Sequence, residues 1–204
     1  MHELSDGNKL ILTKCRRADD ELFNMLQFDN ITNIKRDDFT HNPCKINICY
    51  TNETRMLVNE ALMEKFRTKQ SIELKKISAD ANSQDVVLSE GMPIIGTKNN
   101  KKFKIINNQQ YTLFKINNDV LHIREKDAQE EAKKSKKAYK GNEIYLPINQ
   151  FQRMFYPAYC ITTHKMQGET INKPYAIHDF HMMDQKLKYV ALTRATCKQI
   201  INII

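Results

Sequence analysis

Two short segments of this chain bring together side chains whose chemistry suits phosphate groups. In the first, AYCITTHKMQGETI, an apolar run is followed by hydroxyl, imidazole and ammonium donors at Thr162, Thr163, His164 and Lys165. Such donors beyond the carboxyl end of a strand in an open α/β sheet are well placed to bind phosphate oxygens. Gly168, shortly afterwards, permits a left-handed turn or a close approach of the backbone to a ligand.

The second segment, KYVALTRAT, predicts a helix that carries an arginine near its end. Its apolar body would consist of Tyr189, Val190 and Leu192, and Arg194 follows them. The guanidinium group is planar and permanently charged, so it matches a phosphoryl group that is losing its leaving oxygen. An arginine supplied to a nucleoside triphosphate in this way stabilises the charge of the transition state.

The apolar pattern predicts a parallel sheet that could hold both segments. The alternating run KINICYT leads directly into a helical pattern with Leu57, Ala61 and Leu62 on one face and Thr51 or Asn52 as its cap. A strand that feeds a capped helix is the repeating unit of an α/β fold. The same pattern returns later, because AYCITT, YAIHDF and QIINII read as strands and DQKLKYVALTRAT reads as a helix. A short helix is also predicted at DDELFNMLQF.

The middle of the chain follows a different pattern. From about residue 72 the apolar period becomes two, in the runs IELKKIS, MPIIGT, KFKII, QYTLFKI, DVLHI and EIYLPI. Short strands separated by turn signals are typical of a small barrel or sandwich. The charged stretch 125–140 predicts a helical insertion with a solvated face. We therefore expect one α/β domain, residues 1–88 and 150–204, interrupted by a β module at residues 89–149.

Composition narrows the classes of function only slightly. The 204 residues carry a net charge of +8 with a pI near 9.2, and lysines cluster at 101–104 and 133–137, which would attract a polyanion. Five scattered cysteines without CxxC spacing argue against a zinc site, and the pair His178 and His181 fits a surface loop better than a metal site. With no signal peptide and no apolar run of about 18 residues, we expect an intracellular protein of nucleus, cytoplasm or a viral replication compartment.

The two phosphate-suited segments resemble motifs of a known family. ITTHKMQGET resembles motif V, and YVALTRAT resembles motif VI, of superfamily 1 helicases of the Pif1/RecD-like branch, in the family's order and at about its spacing. ICYTNETRMLVN resembles the strand–helix segment that opens the family's second RecA-like domain. LSEGMPIIGTKN and KIINNQQYTLFKI resemble the start of its SH3-like 2B insertion, with Asn107 and Asn108 where the family often has Asn-Gly. LTKCRRAD resembles a segment with a second phosphate-sensing arginine; Arg17 aligns with that arginine, and the adjacent Arg16 is the alternative.

The resemblance implies a RecA-like fold of the P-loop NTPase type and the C-terminal motor domain of an ATP-dependent 5′→3′ DNA helicase. Arg194 and Arg17 would be the catalytic arginines that reach the γ-phosphate of ATP. The segment that adjoins the nucleotide would be Gln167, Gly168 and Glu169. The sugar–phosphate backbone of single-stranded DNA would be held by Thr51, Asn52, Thr162, Thr163, His164 and Lys165. Lys165 and Gln167 would also couple the two ligands.

The sequence lacks the other half of such a motor. It contains no GxxxxGK[ST] loop and no Asp-Glu pair after an apolar strand, so the ATP phosphates and Mg²⁺ would be bound by an N-terminal RecA-like domain of the same polypeptide. We therefore expect a piece of a longer protein that does not hydrolyse ATP alone. Two alternatives remain open: a non-catalytic nucleic-acid-binding module derived from a helicase, and an RNA-directed superfamily 1 helicase.

Overall fold

The computed structural model describes residues 15–27, 30, 32–135 and 138–204. The first three residues of the predicted arginine segment LTKCRRAD lie outside the described residues. So do Lys136 and Lys137 of the basic stretch 133–137 and the side chain of Lys133. The helices are α1 (Asp20–Met25), α2 (Asn52–Lys65), α3 (Lys126–Ser135), α4 (Phe151–Met154) and α5 (Gln185–Leu192). The strands are β1 (Ile46–Cys49), β2 (Ile72–Leu74), β3 (Val86–Leu88), β4 (Pro93–Gly96), β5 (Gln110–Asn117), β6 (Val120–Glu125), β7 (Glu143–Pro147), β8 (Phe155–Pro157), β9 (Cys160–Thr162), β10 (Tyr175–Ile177) and β11 (Ile201–Ile203).

Four strands form the parallel sheet that the apolar pattern predicts. Their order is β11-β10-β1-β9, and every neighbouring pair is parallel. The strands are buried on both faces, with Ile48, Tyr175, Ile177 and Ile203 at 0% exposure, as expected for a parallel sheet covered by helices. The hydroxyl of Tyr175 donates to the carbonyl of Ala191 at 2.9 Å and so connects the sheet to α5.

The second sheet has five strands in the order β7-β6-β5-β4-β8, and its neighbouring strands are antiparallel. Four of its strands fall within residues 89–149, and the fifth, β8, lies beyond that range and leads into β9. β2 and β3 form a separate two-stranded antiparallel ribbon, and the pattern analysis did not predict β3. The tight turn between β5 and β6 is made by Asn118, whose φ of 48° is left-handed.

The predicted strand KFKII is wrong. Residues 101–104 form turns, with a φ of 54° at Lys104, and the only strand-like contact is an isolated bridge between Asn100 and Ile105. The backbone N–H and carbonyl groups of these two residues pair at 2.8 and 3.0 Å, and the side chain of Asn100 accepts from the N–H of Phe103 at 3.1 Å. The local hydrogen bonds of Asn100 thus replace the ladder that alternation alone predicted.

The predicted apolar face of α2 is confirmed at Leu62, which packs against the core, but is wrong at Leu57 and Ala61. Leu57 is 60% exposed, whereas the residues buried on this helix are Arg55, Asn59 and Met63. Asn59 is fully buried and joins α2 to the start of β9: its amide nitrogen donates to the carbonyls of Pro157 and Cys160, and its oxygen accepts from the N–H of Cys160 at 2.9 Å. A polar residue outside the predicted apolar face therefore attaches the helix to the sheet.

The second predicted helix differs in a similar way. α5 ends at Leu192, and its buried residues are Ala191 and Leu192, while Tyr189 is 47% exposed. Arg194 stands just beyond the helix. Leu192 is therefore buried as predicted, Val190 is half-buried, and Ala191 takes the place of Tyr189 in the core.

Replacing Asn59 tests the polar attachment of α2. Asn59→Leu should lower the free energy of unfolding by about 3 kcal/mol, because it leaves the buried carbonyls of Pro157 and Cys160 and the N–H of Cys160 without partners. Leu57→Ala, on the exposed face of the same helix, should change it by less than about 0.5 kcal/mol. Urea denaturation measures both free energies of unfolding, and a greater loss of stability for Leu57→Ala than for Asn59→Leu would contradict the structure.

Candidate functional site

The parallel pairing of β1 with β9 brings the two halves of the predicted strand-binding set to one edge of the sheet. Cys49 lies opposite Thr162 in the register, so the residues that follow both strands leave the sheet side by side. The rings of Tyr50 and His164 are accordingly 6.3 Å apart. Thr51, Asn52 and His164 all lie at this edge, which we call the carboxyl edge of β1 and β9.

The predicted donors of the first segment are not equally accessible. His164 is exposed and Lys165 is half-buried, whereas Thr162 is 8% exposed and Thr163 is fully buried. The hydroxyl of Thr163 donates to the carbonyl of Cys49 at 3.1 Å, so this side chain holds the end of β1 against the turn that follows β9. Thr163 supports the edge from inside, and the surface donors are those of His164 and Lys165.

Sequence reasoning missed Asp179, whose carboxylate accepts hydrogen bonds from the donors at and around Thr51. Its carboxylate accepts from the N–H groups of Tyr50 and Thr51 at 3.2 and 3.1 Å, and from the hydroxyls of Thr51 and Thr54 at 3.2 and 2.8 Å. A left-handed backbone, with φ at 60°, lets the side chain reach this position from the end of β10. Burial opposes ionisation, but these hydrogen bonds outweigh it and hold the pKa of Asp179 below its ordinary value.

The predicted nucleotide-facing residues also meet. Arg194 is 8% exposed, and its guanidinium group donates to the carbonyls of Val190 and Glu169 at 3.0 and 3.1 Å and to the hydroxyl of Thr193 at 3.1 Å. The backbone of Arg194 accepts from the N–H of Ile171 at 2.7 Å. Segment 167–171 is thus attached to the end of α5 by both the backbone and the side chain of one arginine.

The exposed part of that segment is the turn at Gly168. Its φ is +98°, and no other atom lies within 4 Å of the point where a Cβ would stand. Gln167 and Glu169 on either side are also exposed. The predicted left-handed turn is therefore confirmed, and its outer surface is open to a ligand.

Arg17 lies close to Arg194. The N–H of Asp19, two residues further along, donates to the carbonyl of Thr196 at 2.9 Å, which fixes this part of the chain beside the end of α5. Arg17 is exposed, and its positive charge adds to the effect of burial in lowering the pKa of Arg194. Two neighbouring cations, one buried and one exposed, favour an anion at this corner.

The other predicted features of this part of the chain have specific local roles. A ring nitrogen of His178 lies 3.0 Å from the side-chain oxygen of Asn47, and the carboxylate of Asp179 is already bound to the β1–α2 junction. No group of three or more histidine, cysteine, aspartate or glutamate residues that could hold a metal ion occurs among the described residues. None of the described helices is long and apolar enough to cross a membrane.

Comparison with solved structures identifies the fold. No protein-family model matches the chain, and no curated protein matches it in sequence. The chain is similar to Bacteroides Pif1 bound to ssDNA, with a TM-score of 0.67, 18% identity and coverage of 95% of this chain and 51% of that one. It is also similar to the Bacteroides Pif1 complex with ADP-AlF3 and ssDNA, with a TM-score of 0.67, 19% identity and coverage of 95% of this chain and 51% of that one. Its similarity to Pif1 from Candida albicans has a TM-score of 0.58, 13% identity and coverage of 91% of this chain and 53% of that one.

These likenesses confirm the predicted fold class. A parallel α/β sheet accompanied by a separate antiparallel sheet matches the RecA-like domain of Pif1 helicase structures. The chain spans about half the length of the solved structures that it matches. Because the sequence identities are only 13–19%, the similarity shows the fold alone.

The Asp179 carboxylate gives a test based on pH. Asp179→Asn should lower the free energy of unfolding by about 2 kcal/mol at pH 7, because the hydrogen bonds to a charged acceptor become weaker. The folded-state pKa is depressed, so the stabilisation is present above the unfolded value of about 3.9 and is lost as pH falls through the folded-state pKa. Denaturation of both proteins between pH 7 and pH 3 should therefore show the difference closing with acid. The control is Asp119→Asn, because Asp119 is an exposed residue of a turn. A difference in the free energy of unfolding between wild type and Asp179→Asn that does not change with pH would contradict this assignment.

Proposed function

We propose that this chain is the second RecA-like motor domain of an ATP-dependent DNA helicase of the superfamily 1 Pif1 type, with 5′→3′ polarity. The observation that carries the proposal is the continuity between two adjacent surfaces: Lys165 at the carboxyl edge of β1 and β9 is only four residues from Glu169, whose carbonyl accepts from Arg194. The fold likeness to Pif1 structures, two of them solved with ssDNA, supports it.

In this proposal the corner formed by Arg17, Arg194 and segment 167–169 faces ATP. The nucleotide and Mg²⁺ are bound by a RecA-like domain that precedes this chain in the same polypeptide, and the two arginines stabilise the charge on the transferring phosphoryl group. A guanidinium group has five N–H donors, and Arg194 uses three within the chain, so it keeps donors for a phosphate oxygen while staying in place. Exposed Arg17 supplies the second positive charge.

The carboxyl edge of β1 and β9 holds the sugar–phosphate backbone of a single strand. Asn52, His164 and Lys165 supply accessible donors, while Thr51, Thr162 and Thr163 shape the surface that presents them. Contacts to the backbone carry no base information, which suits a motor that must move over every sequence. Segment 163–169 joins the two surfaces, so Lys165 and Gln167 couple strand position to the state of the nucleotide.

The antiparallel strands within residues 89–149 form the SH3-like insertion of such a motor, and residues 1–88 and 150–204 form its RecA-like domain. Asn108 supports this arrangement, because its amide nitrogen donates to the carbonyl of Lys165 at 3.1 Å. The insertion thereby contacts the strand-binding turn directly. The left-handed φ of 68° at Asn108 is the conformation that asparagine tolerates in place of glycine.

Two exposed arginines provide a matched test of the nucleotide corner. In the complete two-domain protein, Arg17→Ala should lower the rate of ATP hydrolysis by about 10³-fold, as expected for loss of a phosphate-sensing arginine, with nucleotide binding largely retained. Arg16→Ala, at a residue that is also exposed, should leave the rate unchanged.

Arg194→Ala should abolish hydrolysis, with thermal unfolding used to check the fold because this side chain is buried. Undiminished turnover by the Arg17 and Arg194 variants would remove both arginines from the catalytic role, whereas a wild-type two-domain protein that does not hydrolyse ATP would favour a non-catalytic module.

Strand binding can be measured on this chain alone. It should bind a fluorescent oligothymidylate weakly, with an affinity that falls steeply with salt, and it should not hydrolyse ATP. Each phosphate contact contributes about −0.7 to the slope of log K against log salt for a single strand, so Lys165→Met should make the slope shallower by about that amount. Lys69→Met, an exposed lysine beyond the far end of α2, is the control. Tighter binding of oligouridylate than of oligothymidylate would favour an RNA-directed enzyme, and hydrolysis of ATP by the chain alone would contradict the proposed division of the motor.

A further inference from the structure

Beside the carboxyl edge of β1 and β9 lies a buried arginine that the motif comparison does not use. Arg55, in the first turn of α2, is 3% exposed. Its Nη2 donates to the carbonyl of Asn82 at 2.8 Å, and its Nε donates to the side-chain oxygen of Asn52 at 3.1 Å. Its Nη1 is buried without a partner among the described residues. A buried guanidinium group normally has a carboxylate partner, so this arrangement needs a reason.

The surroundings of Arg55 carry an excess of positive charge. Its guanidinium carbon lies 5.1 Å from the centre of the Tyr156 ring, and the Nζ of Lys165 lies 5.4 Å from the same ring centre. The nearby carboxylate, Asp80, accepts the hydroxyl of Tyr156 at 2.6 Å and does not bond either cation directly. Burial lowers the pKa of Lys165, and the positive charge of Arg55 lowers it further. Because the two cations repel each other, an anion beside both of them would be stabilised.

Arg55 also fixes which end of the Asn52 amide points outward. A guanidinium group can only donate, so the Asn52 atom that faces Nε must be the oxygen. The amide nitrogen of Asn52, with two N–H donors, is therefore turned away from Arg55. Asn52 is exposed, so these donors are presented to solvent at the N-terminal end of α2. A phosphate oxygen is the acceptor that such donors suit.

We infer that Arg55 is a positioning residue for a phosphate-binding subsite formed at the surface by the Asn52 amide and the Lys165 ammonium group, whose ligand is a phosphodiester of a single-stranded nucleic acid. This inference rests on the proposed function and adds to it a buried residue that sets the orientation of a surface donor. Arg55 acts through Asn52 by the hydrogen bond to its oxygen.

A purely structural role for Arg55 makes a different prediction. If it only joined loop 77–84 to α2 through Asn82, its loss would destabilise the protein, and any effect on strand binding would be independent of Asn52. A double-mutant cycle separates these two cases. If Arg55 acts through Asn52, the fold-loss of affinity in the double variant is smaller than the product of the losses in the two single variants.

The test measures binding of a fluorescent oligothymidylate by anisotropy for the wild-type chain, Arg55→Met, Asn52→Ala and the double variant. Each single substitution should weaken binding about tenfold, the size of one hydrogen bond to a charged acceptor, and the double variant should also be weakened about tenfold rather than a hundredfold. Arg55→Lys, which keeps a positive donor, should recover most of the affinity. The control is Arg67→Met, an exposed arginine just beyond the C-terminal end of α2, which should bind as the wild type does.

A hundredfold loss in the double variant, or unchanged binding by folded Arg55→Met, would overturn the role of Arg55 while leaving strand binding by the chain intact. Failure of the wild-type chain to bind the oligonucleotide would instead overturn the proposed function, and the subsite with it. If Arg55→Met does not fold, NMR on the wild-type chain decides: the side-chain amide signals of Asn52, assigned with Asn52→Ala, should shift on adding the oligonucleotide. Unmoved Asn52 signals, with other signals shifting, would overturn the subsite.

Discussion

The candidate site depends on the parallel pairing of β1 with β9. Because Cys49 and Thr162 lie opposite each other, the chain leaves both strands at the same edge, and segments more than 100 residues apart in sequence meet there. The hydrogen bond from the Thr163 hydroxyl to the Cys49 carbonyl fixes the end of one strand against the turn that follows the other. Fully buried Asn59 then attaches α2 to the beginning of β9. The surface donors of Asn52, His164 and Lys165 are placed by these internal bonds.

Much of the polar chemistry at this edge is used inside the protein. Thr51 and Thr54 donate to Asp179, Thr163 donates to Cys49, and Arg194 donates to Glu169. These bonds are reasonable at a site that must keep its geometry, since donors fixed in advance need less reorganisation when a ligand arrives. A list of polar residues near a strand end therefore overstates the number of direct contacts, and the residues behind the surface decide which donors point outward.

The sequence predicted the strands of the parallel sheet well, because each is a short apolar run that leads into a capping or turn signal. It also predicted where Arg194 and Gly168 would lie, since both follow regular elements at a fixed distance. It failed at α2, where Leu57 is exposed and Arg55 and Asn59 are buried. Periodicity assigns apolar residues to the core, whereas here polar side chains are buried because their partners are carbonyl groups of distant segments. The predicted strand at KFKII failed for a related reason: Asn100 supplies local hydrogen bonds that a count of alternation does not include.

Asp179 and Tyr156 could not have been found from motif spacing, because their roles depend on neighbours far along the chain. A lone aspartate after an apolar strand is common, and only the positive φ and the nearby β1–α2 junction give its carboxylate four donors. Tyr156 belongs to a strand of the antiparallel sheet, yet its ring lies against cations from α2 and from the turn after β9. Asn108, which lies between β4 and β5, likewise donates to the carbonyl of Lys165. In the proposed motor, the turn that grips the strand is thus held from two sides, by the parallel sheet and by the insertion. A shift of segment 167–169 at the nucleotide would therefore change the position of Lys165 relative to fixed neighbours, which is what coupling between the two ligands requires.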